Sequence, residues 1–164
     1  MSRKRTVRRV WNLINPITHA AYQASKLTIA EWNKQVTPVQ VAVDRLSRGD
    51  WDNEGGWQPM FECLNRIQSL LKLGRVEGQD FVEEAQAVMV AALERRHSSG
   101  IVALRAGELA MLREVCKVYG DLLKEASHAQ FAAACAHTNA NITRILKDKK
   151  NMCIGGCVFE VRGS

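Results

Sequence analysis

Arg3, Lys4, Arg5, Arg8 and Arg9 place five cations within seven positions at the start of the chain, and no acid appears before Glu31. Guanidinium forks bind phosphate oxygens in pairs, Trp11 offers a stacking face for a base or a cation, and Asn15 and His19 add hydrogen-bonding groups. Arg5, Arg8, Arg9, Trp11, Asn15 and His19 therefore form a candidate ligand-binding set suited to a nucleotide or a nucleic-acid strand, with Arg3 and Lys4 as candidate partner contacts. Two readings of this segment stand side by side. Clustered cations repel one another until something negative screens them, which points to an anionic partner. Alternatively, Val7, Val10, Trp11, Leu13 and Ile14 dock the segment on the body and leave the cations in water.

The charge is local. Of 23 Lys and Arg residues, 18 lie beyond residue 11 against 17 Asp and Glu, so the rest of the chain carries +1 of the net +6. Other chemistry is sparse. Trp51 and Trp57 flank an acidic, glycine-rich loop and are candidate partner-binding anchors, since tryptophan is enriched in interface hot spots; the competing reading has them staple the loop to the core. His97 and His128 sit near predicted helix ends, where imidazole caps a terminus or meets the helix dipole. Cys135 and His137 are two apart on a predicted helix and diverge by about 200°, so they are a poor metal pair. Cys153 and Cys157 are read as free thiols before a disulfide or a metal pair. No nucleophile elbow, phosphate-binding glycine loop, dinucleotide fingerprint or helical His-Glu-x-x-His is present. The expectation is no catalytic residues, no metal, no cofactor and no enzyme.

These groups need elements to hold them. A length of 164 residues suits one domain with its own core. Thr28-Ile-Ala-Glu31 is a capping box and predicts a helix that runs past Leu46, kinked or broken at Pro38. Met60, Phe61, Leu64, Ile67, Leu70 and Leu71 predict a second helix that stops at Gly74. Phe81 to Leu93 predicts a third, ended by Gly100, and Leu109 to Leu123 a fourth. Ser127-His-Ala-Gln130 is a second capping box, opening a last helix lined by Phe131, Cys135, Ile142 and Leu146. The expected fold is all-α: an up-and-down bundle of four to five helices over residues 28–150. An extended basic arm, 1–27, precedes it and a tail, 151–164, follows it. Alternation at Cys157-Val-Phe-Glu-Val161 suggests a small β-ribbon between the tail and residues 7–14.

No apolar run is long enough to span a membrane, and Asn12, Asn15 and Pro16 interrupt any signal-peptide core. Pro16 also argues against an organellar leader. The odd number of cysteines, three of them within helical patterns, fits a reducing cytoplasm.

Val7-Arg-Arg-Val-Trp-Asn-Leu-Ile-Asn-Pro-Ile-Thr-His-Ala20 resembles the opening of a family of small proteins of unassigned function encoded by bacteriophages and prophages of Gram-negative bacteria. The resemblance extends more weakly through the loop ending near Trp57 and the later helices, and departs after Lys150. It implies a phage product acting in the cytoplasm of a bacterial host and names no active site. If the family motif binds something, its positions here are Arg8, Arg9, Trp11, Asn15 and His19.

Taken together, these features predict a non-catalytic binding protein of the counter-defence type. It would act in the manner of an anti-CRISPR, occluding a host protein complex, or would sequester an anionic nucleotide signal. A DNA- or RNA-binding regulator is the alternative, distinguished by a steep salt dependence of binding; a structural or assembly protein is the third. A homo-oligomer is also expected if the apolar stripes exceed what one copy can bury.

Overall fold

The computed structural model describes residues 15–51, 56–100, 103–148, 153–154 and 157–158. Among them are six helices: α1 (Pro16–Ala24), α2 (Ile29–Ser47), α3 (Gln58–Gly74), α4 (Gln79–Ser99), α5 (Ala106–Glu125) and α6 (His128–Asp148). The fold is all-helical apart from two-residue strands β1 (Cys153–Ile154) and β2 (Cys157–Val158), which pair antiparallel. This pairing lies within the tail. The expected partner strand at residues 7–14 lies outside the described residues.

Consecutive helices α2, α3, α4 and α5 pack as neighbours, and α2 against α5 closes the cycle. Apolar residues recurring at three and four positions put Val36, Val39, Val43 and Leu46 of α2 in the core. Met60, Phe61, Leu64 and Ile67 of α3 join them, as do Val82, Ala85 and Met89 of α4, and Leu112, Val115, Tyr119 and Leu123 of α5. α6 rests on α3 rather than on α5, its neighbour in sequence, and α1 lies against α6.

Both capping boxes form. The Glu31 amide donates to Thr28 Oγ1 at 3.3 Å while the Thr28 amide donates to the Glu31 carboxylate at 2.9 Å. Ser127 and Gln130 repeat the exchange at 3.2 and 2.8 Å.

Four expectations are corrected. The segment from Pro16 to Ala24 is a helix rather than extended arm: Asn15 caps it by accepting from the Ile17 amide at 3.0 Å, and Pro16 occupies the first turn, where its missing N–H costs nothing. That Asn-Pro start signal was present in the sequence. α2 runs unbroken through Pro38, an exposed position where the bereft carbonyl of the preceding turn can meet water. α3 ends at Gly74, but the left-handed residue that closes it is Arg75, at φ 54°, rather than the glycine, with the Val76 amide donating to Leu71 O at 3.0 Å.

The fourth concerns α6. Its seam on α3 runs through Ala134 and Thr138 to Ile145, with Phe131, Cys135 and Ile142 only half-buried on its flank. Small and polar residues make this seam because buried Ser69 faces it. Ser69 Oγ lies 2.8 Å from Thr138 Oγ1 and 3.0 Å from His137 Nδ1, and Thr138 donates to Asn65 O at 3.2 Å. An apolar periodicity cannot reveal a seam built on hydroxyls.

Candidate functional site at the base of the basic segment

Arg3, Lys4, Arg5, Arg8, Arg9 and Trp11 lie outside the described residues. Asn15 and His19, one helical turn apart, share an exposed side of α1. Asn15 spends its carboxamide oxygen on the cap, and its carbonyl accepts from the His19 amide at 3.0 Å and the Thr18 hydroxyl at 2.9 Å. His19 itself faces solvent.

Trp51 and Trp57 are core residues, 3% and 1% exposed, which removes them as surface anchors for a partner. Their rings meet at 4.3 Å and 60°, and Trp57 stacks on Phe61 at 5.9 Å. Arg96 spans the outer edge, its guanidinium 5.4 Å from the Trp51 ring and donating to Trp51 O at 3.0 Å. The pair therefore closes the entry to α3 from within.

The sequence did not indicate the cluster that ties α1 to the body. No residue of α1 is buried, and Ile17 is 79% exposed. The helix is held at its C-terminal end. There Ser25 O accepts from the His128 amide at 2.9 Å, Lys26 pairs by backbone with Ser127, and Lys26 Nζ meets Glu125 at 2.7 Å. The His128 ring stacks on Tyr22 with centroids 4.2 Å apart. Its Nδ1 lies 3.0 Å from Ser25 O and 3.1 Å from Ser25 Oγ, and its Nε2 lies 3.0 Å from the Glu31 carboxylate. The sequence hinted at His128 only as a helix-end histidine, because Glu31 and Ser25 lie about a hundred residues away.

The electrostatics favour holding over reacting. The Thr28 hydroxyl and amide, then His128, draw the Glu31 carboxyl down to about 2. Its hydrogen bond to Glu31, followed by those to backbone carbonyls, raises the His128 imidazole against the opposing effect of burial. When doubly protonated, the ring donates to Ser25 O and to Glu31, while the Ser25 hydroxyl donates to Tyr22 O at 2.7 Å. A serine, a histidine and a glutamate are thus brought together, with both ring nitrogens and the serine hydroxyl engaged in contacts that tie α1 to α2 and α6. The arrangement is a latch.

The thiols in the described body are equally quiet. Burial raises Cys63 well above the ordinary thiol range, Cys116 to about 11, and Cys135 upward, so each stays protonated at neutral pH. The described residues contain no cluster of three or more His, Cys, Asp or Glu side chains placed to hold a metal ion. None of the described helices is long and apolar enough to cross a membrane.

Many of the body's cations are neutralised within it: Arg45 by Asp50, Arg48 by Asp44, Arg66 by Glu62, Lys117 by Glu114 and Lys124 by Asp121. Arg95 grips Glu108 through both guanidinium nitrogens at 2.6 and 2.7 Å in the least exposed of these pairs. The contrast with residues 3–9, where five cations share no acid, is the main electrostatic feature of the chain. The chain matches no protein-family model, no curated protein and no solved structure.

Proposed function

We propose that this is a non-catalytic, phage-encoded binding protein of the counter-defence type. It inhibits a host component through its basic N-terminal segment, by occluding a host protein complex or by sequestering an anionic nucleotide. The observation that carries this reading is the separation of charge: five cations with no acid among them at residues 3–9, against a body that carries only +1 beyond residue 11 and pairs several of its cations with its own acids. α1 supports it by projecting Asn15 and His19 into solvent immediately after the basic segment, while the His128 latch fixes the far end of that helix. Arg8 and Arg9 supply bidentate contacts to phosphate or carboxylate oxygens, and Trp11 supplies a flat apolar face.

The test is the triple variant Arg8→Ala, Arg9→Ala, Trp11→Ala, compared with wild type for retention of whatever copurifies from bacterial lysate at low salt. Loss of the partner with an unchanged melting curve is the expected outcome. Undiminished retention contradicts the reading.

A further inference from the structure

α6 presents an outward surface unlike those of α2 to α5. Between Glu125 and Arg144 the chain holds no Asp, Glu, Lys or Arg. The other four helices each expose charge, Lys34 on α2, Lys72 on α3, Glu83 on α4 and Arg113 on α5 among them. Ala129, Ala132, Ala133, Ala136 and Ala140 are all exposed. At 3.6 residues per turn they fall within an arc of about 100°, on the side of α6 away from its α3 seam.

This surface continues into an apolar groove of about 410 Å³ where the ends of α3 and α5 meet the start of α6, walled by Leu70, Leu73, Val76, Leu122, Ala129 and Ala133. Leu73 and Val76 are 49% and 53% exposed. α1 lies on the opposite flank, against His128, about 140° around α6 from Ala133. It too carries no Asp, Glu, Lys or Arg.

Charge chooses the occupant. A chain of net charge +6 meets its own copy at least cost where charge is absent, and α6 is itself a neutral, small-residue helix of the kind this face accepts. The two ends of the face also complement each other. Glu125 borders the groove at the start of α6; it meets Lys26 through one oxygen and is 79% exposed, so its other oxygen is open to a second cation. Lys147 stands on the alanine arc in the last turn of α6, exposed and without an ion pair among the described residues. Ala136 is midway between Glu125 and Lys147 in sequence. Two α6 helices laid antiparallel about Ala136 therefore bring Lys147 of each copy toward Glu125 of the other, and their dipoles oppose favourably.

The dimensions suit a stable dimer. Alanines allow helix axes to approach to the near end of the usual range of about 8–10 Å. α6 is about 30 Å long and, with α1 and the end of α3 beside it, the face is about 25 Å wide, close to the roughly 800 Å² per partner of a standard interface. We infer that this face docks a second copy of the chain as a two-fold dimer, its α6 helices antiparallel and meeting at Ala136.

Sedimentation equilibrium of the full chain from about 1 to 100 μM tests this. The chain should dimerise, and Ala136→Glu, an exposed change to another good helix former that sets two like charges together at the two-fold, should weaken the dimer at least tenfold with helical circular dichroism unchanged. Ala110→Glu, at an exposed position of α5, should leave it unaltered. Cross-linking reads the orientation: under mild oxidation, Ala132→Cys mixed with Ala140→Cys should join the two variants to each other at least fivefold faster than either joins itself. Deleting residues 2–9 should leave the dimer intact, which separates a second copy from anything that segment captures. A monomer at every concentration overturns the proposal. So does a dimer indifferent to Ala136→Glu, no preference for the mixed cross-link, or a dimer lost with residues 2–9.

Discussion

Gly120 illustrates how much one side chain's position depends on another's absence. Trp32 crosses from α2 to α5 and donates its indole N–H to Gly120 O at 2.8 Å. A Cβ at residue 120 would come within 3.1 Å of Trp32 Cζ2, tighter than ordinary packing. Alanine is favoured over glycine in a helix interior by roughly 0.5–1 kcal/mol, whereas displacing a packed indole costs about 1–3 kcal/mol. Gly120→Ala should therefore lower stability by about 1 kcal/mol in urea unfolding, and a raised midpoint would show that Trp32 yields freely.

For single residues the sequence shows the side-chain type and leaves its direction open. Trp51 and Trp57 were legible as either surface anchors or staples of the loop to the core, and the fold, which buries both, decides for the core. His128 was legible as a helix-end histidine, while its partners Ser25 and Glu31 meet it only after the chain has passed through four further helices.

The latch between α1 and α6 is the element whose behaviour follows most directly from its charges. The groups facing His128 are the Glu31 carboxylate, Ser25 O and the Tyr22 ring, with Lys26 and Glu125 paired beside them. A histidine raised on folding stabilises the folded form fully below its ordinary value of 6.5 and loses that contribution as pH rises through the raised value. A glutamate lowered from 4.5 to about 2 stabilises above 4.5 and loses its contribution as pH falls toward 2. The latch is thus strongest between about 4.5 and 6.5, and α1 should loosen on the alkaline side first. Amide exchange of α1 should speed up as pH rises through the His128 titration, beyond the intrinsic pH dependence and more than exchange in α3. His128 titrating below 6.5 by NMR would contradict this.

Elements were legible where they are long and amphipathic. α2 to α6 followed from apolar spacing and two capping boxes, at the starts of α2 and α6. α1 was missed because its lack of acids and its short length obscured the Asn15-Pro16 start signal. The α6 seam was displaced because its contact with α3 is made by Ser69, Thr138 and Ala134 rather than by large apolar side chains.

For the whole molecule, the four-helix cycle of α2 to α5 supplies a core, α6 covers α3, and α1 sits outermost with its apolar Ile17 exposed. Helix-to-helix order was only partly legible: short links favour adjacency, yet α6 passes over α5 to reach α3 because its complementary hydroxyls are there. The candidate ligand set was legible as charge, since composition alone separates residues 3–9 from a body at +1 beyond residue 11.

The central claim is that the basic segment, rather than the body, captures an anionic host component. Native mass spectrometry of the untagged chain isolated from bacterial lysate at low salt, beside the chain lacking residues 2–9, tests it most directly. A discrete added mass on the full chain that the shortened chain lacks is the expected result. The same mass on both, or bare protein in both, would contradict it.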